Sequence, residues 1–415
     1  MTSFSGTPSQ RAGTTRGSPG SPNGALSGTQ PGPPGLAFYA PPSPLPAGTA
    51  GQVIWARLLT GAAALAGASE NLLVLYHSQT LAGQDTAVSG TVSIPRGQPP
   101  PGGWPVLSWA HGTTGVADIC APSREAPGHP CHIYTQLADA MLNLWVERGW
   151  AVVKTDYEGL GTPGPHPYLA GASAARGAID IVTAARHLDP GIGRRWAVMG
   201  HNQGGHAALF AASLAPARAP GLDLIGAVAI APASGTHDII ARLQNCRAPA
   251  PGLGFLALAL IGAAATDRAL RLDQILTRRA LRLLAIAQTV GIDDLLGPGL
   301  WPPSVPADLF RPDADLAPLL AVLAANDPAA LRLRAPALIV QGSNDPITDP
   351  GRTDRMARSL SANGAALDYH VYPGTGHFDV IAAAHAQNAQ WIGARLARMP
   401  AHLDRARTPW HGGLL

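Results

Sequence analysis

Lysine is almost missing from this chain of 415 residues: Lys154 is the only one, and nearly all of the basic charge is arginine. No lysine and arginine cluster is dense enough to follow a phosphate backbone, and the formal net charge is only +3, so nucleic acid is not an expected partner. Cysteine is scarce as well. Cys120, Cys131 and Cys246 cannot all pair within one chain and none shares a C-x-x-C spacing, so at most one internal disulfide can form. The stretch His129-Pro130-Cys131-His132 offers soft ligands, but zinc needs about four in a tetrahedron and no second cluster is present. Neither a metal nor another cofactor is expected. Long apolar runs are absent too. The longest, at about residues 252–265, falls short of the roughly 20 residues a membrane span requires and reads as a buried or substrate-facing helix. Residues 1–36 are mostly Ser, Thr, Gly and Pro, with neither core material nor the apolar stretch of an export signal, and are expected to be disordered.

What is present, from about residue 71 onward, is an alternation of short β-branched runs with longer helical patterns, the signature of strands joined by crossover helices. The class is α/β, with a mostly parallel central sheet flanked by helices. Residues 71–78 and 85–95 have no helix between them and predict an antiparallel pair at the sheet edge. Strands follow at 106–110, 151–155, 197–200, 225–231, 337–341 and 367–372, with helices at about 133–148, 172–187 and 204–214. The long stretch at about 235–330 holds apolar helical patterns and prolines but no clear strand. It reads as a helical cap inserted into one domain running from 37 to 415.

The chemistry-bearing residues fall on loops after strands. Gly200-His201-Asn202-Gln203-Gly204 follows a short buried strand and opens a helix, the context of a nucleophile elbow in the α/β-hydrolase fold, with Asn202 where a serine is expected. Asp345, in Gln341-Gly342-Ser343-Asn344-Asp345, lies just past the next parallel strand, where a carboxylate can hold one nitrogen of an imidazole and fix its tautomer. Asp349 competes for that role. His377, in Gly374-Thr375-Gly376-His377-Phe378, follows the last strand, so the order nucleophile, acid, histidine is complete. Upstream, His111-Gly112-Thr113-Thr114-Gly115 ends a strand in a turn that can aim backbone N–H groups at a developing oxyanion, and the N–H groups of Thr113 and Gln203 are the expected pair. Asp156, Glu158, His201 and His206 are read as structural hydrogen-bonding or packing residues.

Three of these segments carry a family resemblance. His111-Gly112-Thr113-Thr114-Gly115 with Cys120-Ala121-Pro122-Ser123, then Thr155-Asp156-Tyr157-Glu158-Gly159-Leu160-Gly161-Thr162-Pro163-Gly164, then Gly200-His201-x-Gln203-Gly204-Gly205-His206 closely resemble the secretory lipase family, the lipase A-like branch of α/β-hydrolases. Phe38-Tyr39 with Pro41-Pro42 and Leu45-Pro46 resembles that family's opening. The resemblance implies a lipase or carboxylesterase acting on carboxylic esters of lipids, triacylglycerols among them, through a serine, an aspartate and a histidine beneath a helical cap. Carried over, the aspartate is Asp345 and the histidine His377. It further implies a Cys120–Cys246 disulfide, an ester or lipid as small-molecule partner, transient contact with a lipid interface through the cap, and an extracellular or cell-envelope location.

The departure is at the nucleophile. No other serine has glycines two before and two after it, so no substitute elbow exists. Asparagine tolerates positive φ better than most residues, and the elbow backbone can survive the exchange. Its carboxamide nitrogen has its lone pair in resonance and cannot become an alkoxide equivalent. Loss of the nucleophile in a serine hydrolase lowers turnover by about 10⁶-fold and leaves roughly 10³ to 10⁴ over water. Three readings follow: a crippled ester hydrolase, a non-catalytic lipid- or ester-binding pseudoenzyme, or a route in which His377 activates water directly while Asn202 donates a hydrogen bond to the oxyanion.

Overall fold

A computed structural model describes residues 28–250, 252–297 and 304–397. The expectation of disorder for residues 1–27 lies outside these. Residues just after them run along the first strand: the Gln30 carbonyl accepts the Ala56 N–H at 2.9 Å, and Arg57 donates to the carbonyls of Pro33 and Gly35.

The centre is a nine-stranded sheet: β1 (Val53–Leu58), β2 (Glu70–Gln79), β3 (Asp85–Ile94), β4 (Trp104–Ala110), β5 (Ala151–Thr155), β6 (Ile192–His201), β7 (Asp223–Ile230), β8 (Ala337–Gly342) and β9 (Leu367–Tyr372), in the spatial order β1-β2-β3-β5-β4-β6-β7-β8-β9. Pairing is antiparallel from β1 to β5 across β2 and β3, and parallel everywhere else. The β2–β3 pair forms as expected. It is not the edge, because β1, whose short mixed pattern gives no alternation, adds outside it. The intervening helices are α1 (His132–Glu147), α2 (Gly171–Leu188) and α3 (Gln203–Arg218), with α10 (Pro350–Ala362), α11 (Asp379–Ala383) and α12 (His385–Ala397) towards the carboxyl terminus.

Strand residues alternate between two apolar clusters, because side chains leave a strand on opposite faces with period two. In β8, Ala337 and Ile339 join the cluster that contains α2, α3 and α10, whereas Leu338 and Val340 join the one that contains α1, α11 and α12. The parallel strands are buried on both faces and so read as continuous apolar runs.

Between β7 and β8 the described chain forms α4 (Thr236–Leu243), α5 (Leu253–Thr266), α6 (Leu272–Ile275), α7 (Arg278–Ala287), α8 (Ile292–Leu296) and α9 (Ala317–Ala325), and no strand. Helix α5 is apolar nearly all round, and ten of its residues between Leu253 and Ala263 are buried among its neighbours. These helices share their own apolar cluster, to which Tyr168 and Leu169 of the sheet domain also belong.

One buried ion pair ties α1 to the sheet. The lone lysine, Lys154 of β5, donates to Asp139 of α1 at 2.8 Å and to the Ala63 carbonyl at 3.1 Å. Burial pushes the Asp139 carboxyl up from its ordinary value and Lys154 opposes that. Removing one partner strands the other in the interior. Lys154→Met is expected to destabilise the chain by about 3–5 kcal/mol, whereas Lys154→Met with Asp139→Leu recovers most of it. Urea unfolding of the three chains checks this, and a Lys154→Met midpoint equal to the parent's would show that the pair carries no such constraint.

Candidate active site

Strand β6 delivers Asn202 at its carboxyl end with φ +55° and ψ −113°, and α3 begins at the next residue. Glycines permit the turn. A β-carbon on Gly204 would lie 1.8 Å from the Ala110 carbonyl oxygen, and one on Gly200 would lie 2.2 Å from that of Gly204. The Asn202 N–H donates to Ile230 O at 2.9 Å, while its own carbonyl accepts from His206 and Ala233, each at 3.1 Å. These bonds hold a backbone conformation that costs of order 1–3 kcal/mol.

Three hydrogen bonds hold the Asn202 carboxamide. Its Nδ2 donates to His377 Nε2 at 3.0 Å, and its Oδ1 accepts the Gln203 N–H at 2.7 Å and the Thr113 hydroxyl at 3.0 Å. A flipped amide would set an NH₂ group against a backbone N–H, so the network fixes the orientation. Tyr168 shares the Thr113 hydroxyl at 2.8 Å, and donates to it when Thr113 donates to Asn202. Thr113 therefore reaches Asn202 through its hydroxyl, where the sequence suggested its backbone N–H.

His377 Nδ1 donates to Asp345 Oδ2 at 2.7 Å, leaving Nε2 as the acceptor that the Asn202 amide needs. Both side chains are buried. Asp345 also accepts from the N–H groups of Ile347 and Thr348, the Thr348 hydroxyl and the Gln341 amide. Burial pushes its carboxyl up, but the hydrogen bond from His377, the His377 charge and Thr348 outweigh that and bring it down to about 2. Asp349 is employed elsewhere, capping α10 by accepting the Arg352 N–H at 2.8 Å.

A cavity of about 510 Å³ opens onto Asn202, within the range of small-molecule sites. Its wall is mainly apolar, with Ile240 and Leu243 from α4 and Leu253 and Leu256 from α5, and it takes in the loops after β7 and β8. Among the described residues no group of three or more His, Cys, Asp or Glu could hold a metal ion.

A model of the secretory lipase family matches residues 127–286, a span that contains the elbow. A relative from Mycobacterium tuberculosis (strain CDC 1551 / Oshkosh), named a probable inactive lipase, is 26% identical over 357 residues, which are 81% of this chain and 76% of its own. The chain has the α/β-hydrolase fold, and the stretch around its elbow is similar to the secretory lipases. Candida antarctica lipase A in its closed state superposes with a TM-score of 0.73 at 19% identity, covering 86% of this chain and 85% of that one. The rice cell wall degrading esterase LipA from Xanthomonas oryzae gives a TM-score of 0.65 at 20% identity, covering 84% and 97%. At these identities the two structures speak for the fold.

Other side chains around the elbow carry no signal in the sequence. His166 accepts from the Gln203 side chain at 3.1 Å and donates through Nδ1 to the Glu158 carbonyl at 2.7 Å. Tyr134 receives the Gly112 N–H, and the Tyr157 hydroxyl donates to the His111 carbonyl at 2.9 Å. His166 and Tyr157 lie in loops, where no periodicity marks them, and Tyr134 lies in the first turn of α1, so only the tertiary approach reveals these contacts. Asp156 accepts from Ser123 and Ser89, the structural role expected of it. His201 packs on His377 with ring centroids 4.4 Å apart and bonds the His377 carbonyl at 2.9 Å.

The Cys120–Cys246 bridge implied by the resemblance is not formed: all three thiols are free. Cys120 is buried beside Gly115, with its Sγ facing the Val290 carbonyl at 3.6 Å, whereas Cys246 lies half-buried past α4 and faces Ala248 at 3.4 Å. Cys131 donates to the Thr114 carbonyl at 2.9 Å. Burial pushes the Cys120 thiol up to about 12 and Cys131 further, so neither is a ready nucleophile.

Buried imidazoles make the fold acid-sensitive. Burial brings His111 and His166 down to about 4, and lowers His201 and His206 as well. The unfolded chain takes up these protons near pH 6.5, the folded chain only at lower pH, near 4 for His111 and His166. Stability is therefore full above about pH 6.5 and falls as pH drops towards 4. Asp345 acts lower: its contribution is complete above the ordinary carboxylate range, about 3.9, and is lost only as pH falls towards 2. Urea midpoints between pH 7.5 and 4 are expected to decline, with a shallower decline in His166→Gln. A flat profile across that window would mean the imidazoles titrate alike in both states.

Proposed function

We propose that this chain is a carboxylic ester hydrolase scaffold for lipid esters, silenced at its nucleophile, with Asn202, His377 and Asp345 at the three triad positions and Gln203 and Thr113 around the oxyanion site. The observation that carries this reading is the Asn202 amide, whose nitrogen sits on the general base and whose oxygen sits on the Gln203 N–H. In a serine hydrolase the histidine takes the hydroxyl proton as the oxygen attacks, and the oxyanion donors meet the tetrahedral intermediate. Here the amide nitrogen's lone pair is held in resonance and cannot attack, and the amide occupies both partners that an ester and its nucleophile need. The chain is thus silenced twice: chemically, and by occupancy.

The same contacts weigh against direct water activation by His377, because Nε2 already accepts a hydrogen bond from Asn202. A binding role is supported by the retained cavity and by the naming of the Mycobacterium relative as an inactive lipase. In this reading the domain runs from 37 to 415, and the helices between β7 and β8, at about 235–330, form a cap over the acyl site that meets a lipid interface transiently. No helix of the described residues is long and apolar enough to cross a membrane, and the family's secretory character supports an extracellular or envelope location.

Hydrolysis of p-nitrophenyl esters from acetyl to palmitoyl tests the reading. The parent is expected to be inert, Asn202→Ser to gain about 10³-fold or more, and Asn202→Ser with His377→Ala to fall back. Parent activity that disappears in His377→Ala would overturn the silencing argument.

A further inference from the structure

An arginine with no ion pair within 4 Å among the described residues lies in the wall of the cavity that opens onto Asn202. Arg352, in the first turn of α10, has a buried Nε with no hydrogen-bond partner among the described residues. Its stem is pressed on the turn that begins α4, since a β-carbon on Gly235 would meet Arg352 Cδ at 2.6 Å. The two acidic groups that act on it through space are committed elsewhere. Asp349 accepts the Arg352 backbone N–H at 2.8 Å, and Asp238 lies 3.4 Å from His237. Arg242 and Arg355 add further positive charge nearby, and burial lowers the Arg352 guanidinium from its ordinary value.

A half-buried guanidinium with an unmet donor is unfavourable unless a ligand completes it. Its planar fork matches a carboxylate, which can accept two parallel N–H bonds. Asp349, Thr348 and Thr353 line the wall beside it, and the α4 and α5 side is aliphatic: Ile239, Ile240, Leu243, Leu253 and Leu256. We propose that the cavity binds a long-chain carboxylic acid in its ionised form, with the carboxylate on Arg352 and the chain along the α4 and α5 side chains. The proposal rests on reading the cavity as the acyl site, but makes the occupant a free fatty acid and not an ester. It needs no chemistry from Asn202, so a silenced elbow leaves it intact.

Calorimetric titration of the full chain at pH 8 with dodecanoate and with 1-dodecanol, each below its aggregation limit, separates head group from chain. The parent is expected to bind dodecanoate about tenfold or more tighter than dodecanol, the scale of one charge-assisted contact. Arg352→Met removes that difference and leaves dodecanol within about twofold, while Arg352→Lys keeps part of it. Equal affinity of the parent for acid and alcohol overturns the role of Arg352, and that comparison stands even where a variant fails to fold. Binding of neither ligand overturns the acyl-site reading too. Failure of Asn202→Ser to hydrolyse esters would touch only the proposed esterase ancestry, since binding to the parent is read independently.

Discussion

Helix α3 leaves β6 so close to the end of β4 that the Gly204 backbone has no room for a β-carbon beneath the Ala110 carbonyl. That approach makes the site. It brings the turn that follows β4, with Thr113, alongside the first N–H of α3, and it forces Asn202 to positive φ so that its side chain stands clear of the sheet. The neighbouring parallel strands then set the remaining geometry. The chain after β8 supplies Asp345 and the chain after β9 supplies His377, both at the carboxyl edge where open α/β sheets gather their ligands.

A serine at 202 would offer one hydroxyl to His377 and leave the Gln203 N–H open for substrate. Asparagine offers a donor and an acceptor in one rigid plane, and the site provides a matching acceptor and donor at 3.0 and 2.7 Å. In a water-poor interior, unmet polar groups are unfavourable and a satisfied network is rigid. The exchange therefore closes the two open valences that catalysis exploits. Activity and local satisfaction compete for the same two hydrogen bonds, a local form of the general trade-off between stability and function. This accounts for why the elbow, His377 and Asp345 keep a productive arrangement without a nucleophile.

Much of this was legible in the sequence because it is local. The glycines of the elbow, the strand runs, and the positions of Asp345 and His377 just past strands depend on neighbours along the chain. What was not legible depends on approach in space. Strand β1 is short and mixed, and is a strand only because β2 offers it an edge. His166 becomes a partner of Gln203 only once the loop after β5 folds over α3. The choice between Asp345 and Asp349 turned on which loop residue caps a helix, and Asp349, directly before Pro350, takes that task. The cysteine pairing carried over from the resemblance failed because Cys120 faces the segment before α8, not the end of α4.

That segment also bears on how the helices over the site can move. The turn at Thr113 is fastened to it by backbone: Gly115 bridges Gly291, and the Ile292 N–H donates to the Thr114 carbonyl at 2.9 Å, next to the Cys131 thiol on the same oxygen. The cavity side, by contrast, is closed by aliphatic side chains of α4 and α5. Lifting the whole helical layer would break buried backbone bonds, each leaving unmet groups at about 1–3 kcal/mol. Displacing α4 and α5 side chains exchanges one set of apolar contacts for another with the incoming chain, at little net loss. Access to the site is therefore easier by yielding at α4 and α5, with the turn at Thr113 and α8 as the fixed side, so Thr113 stays in place whether or not the cavity is filled.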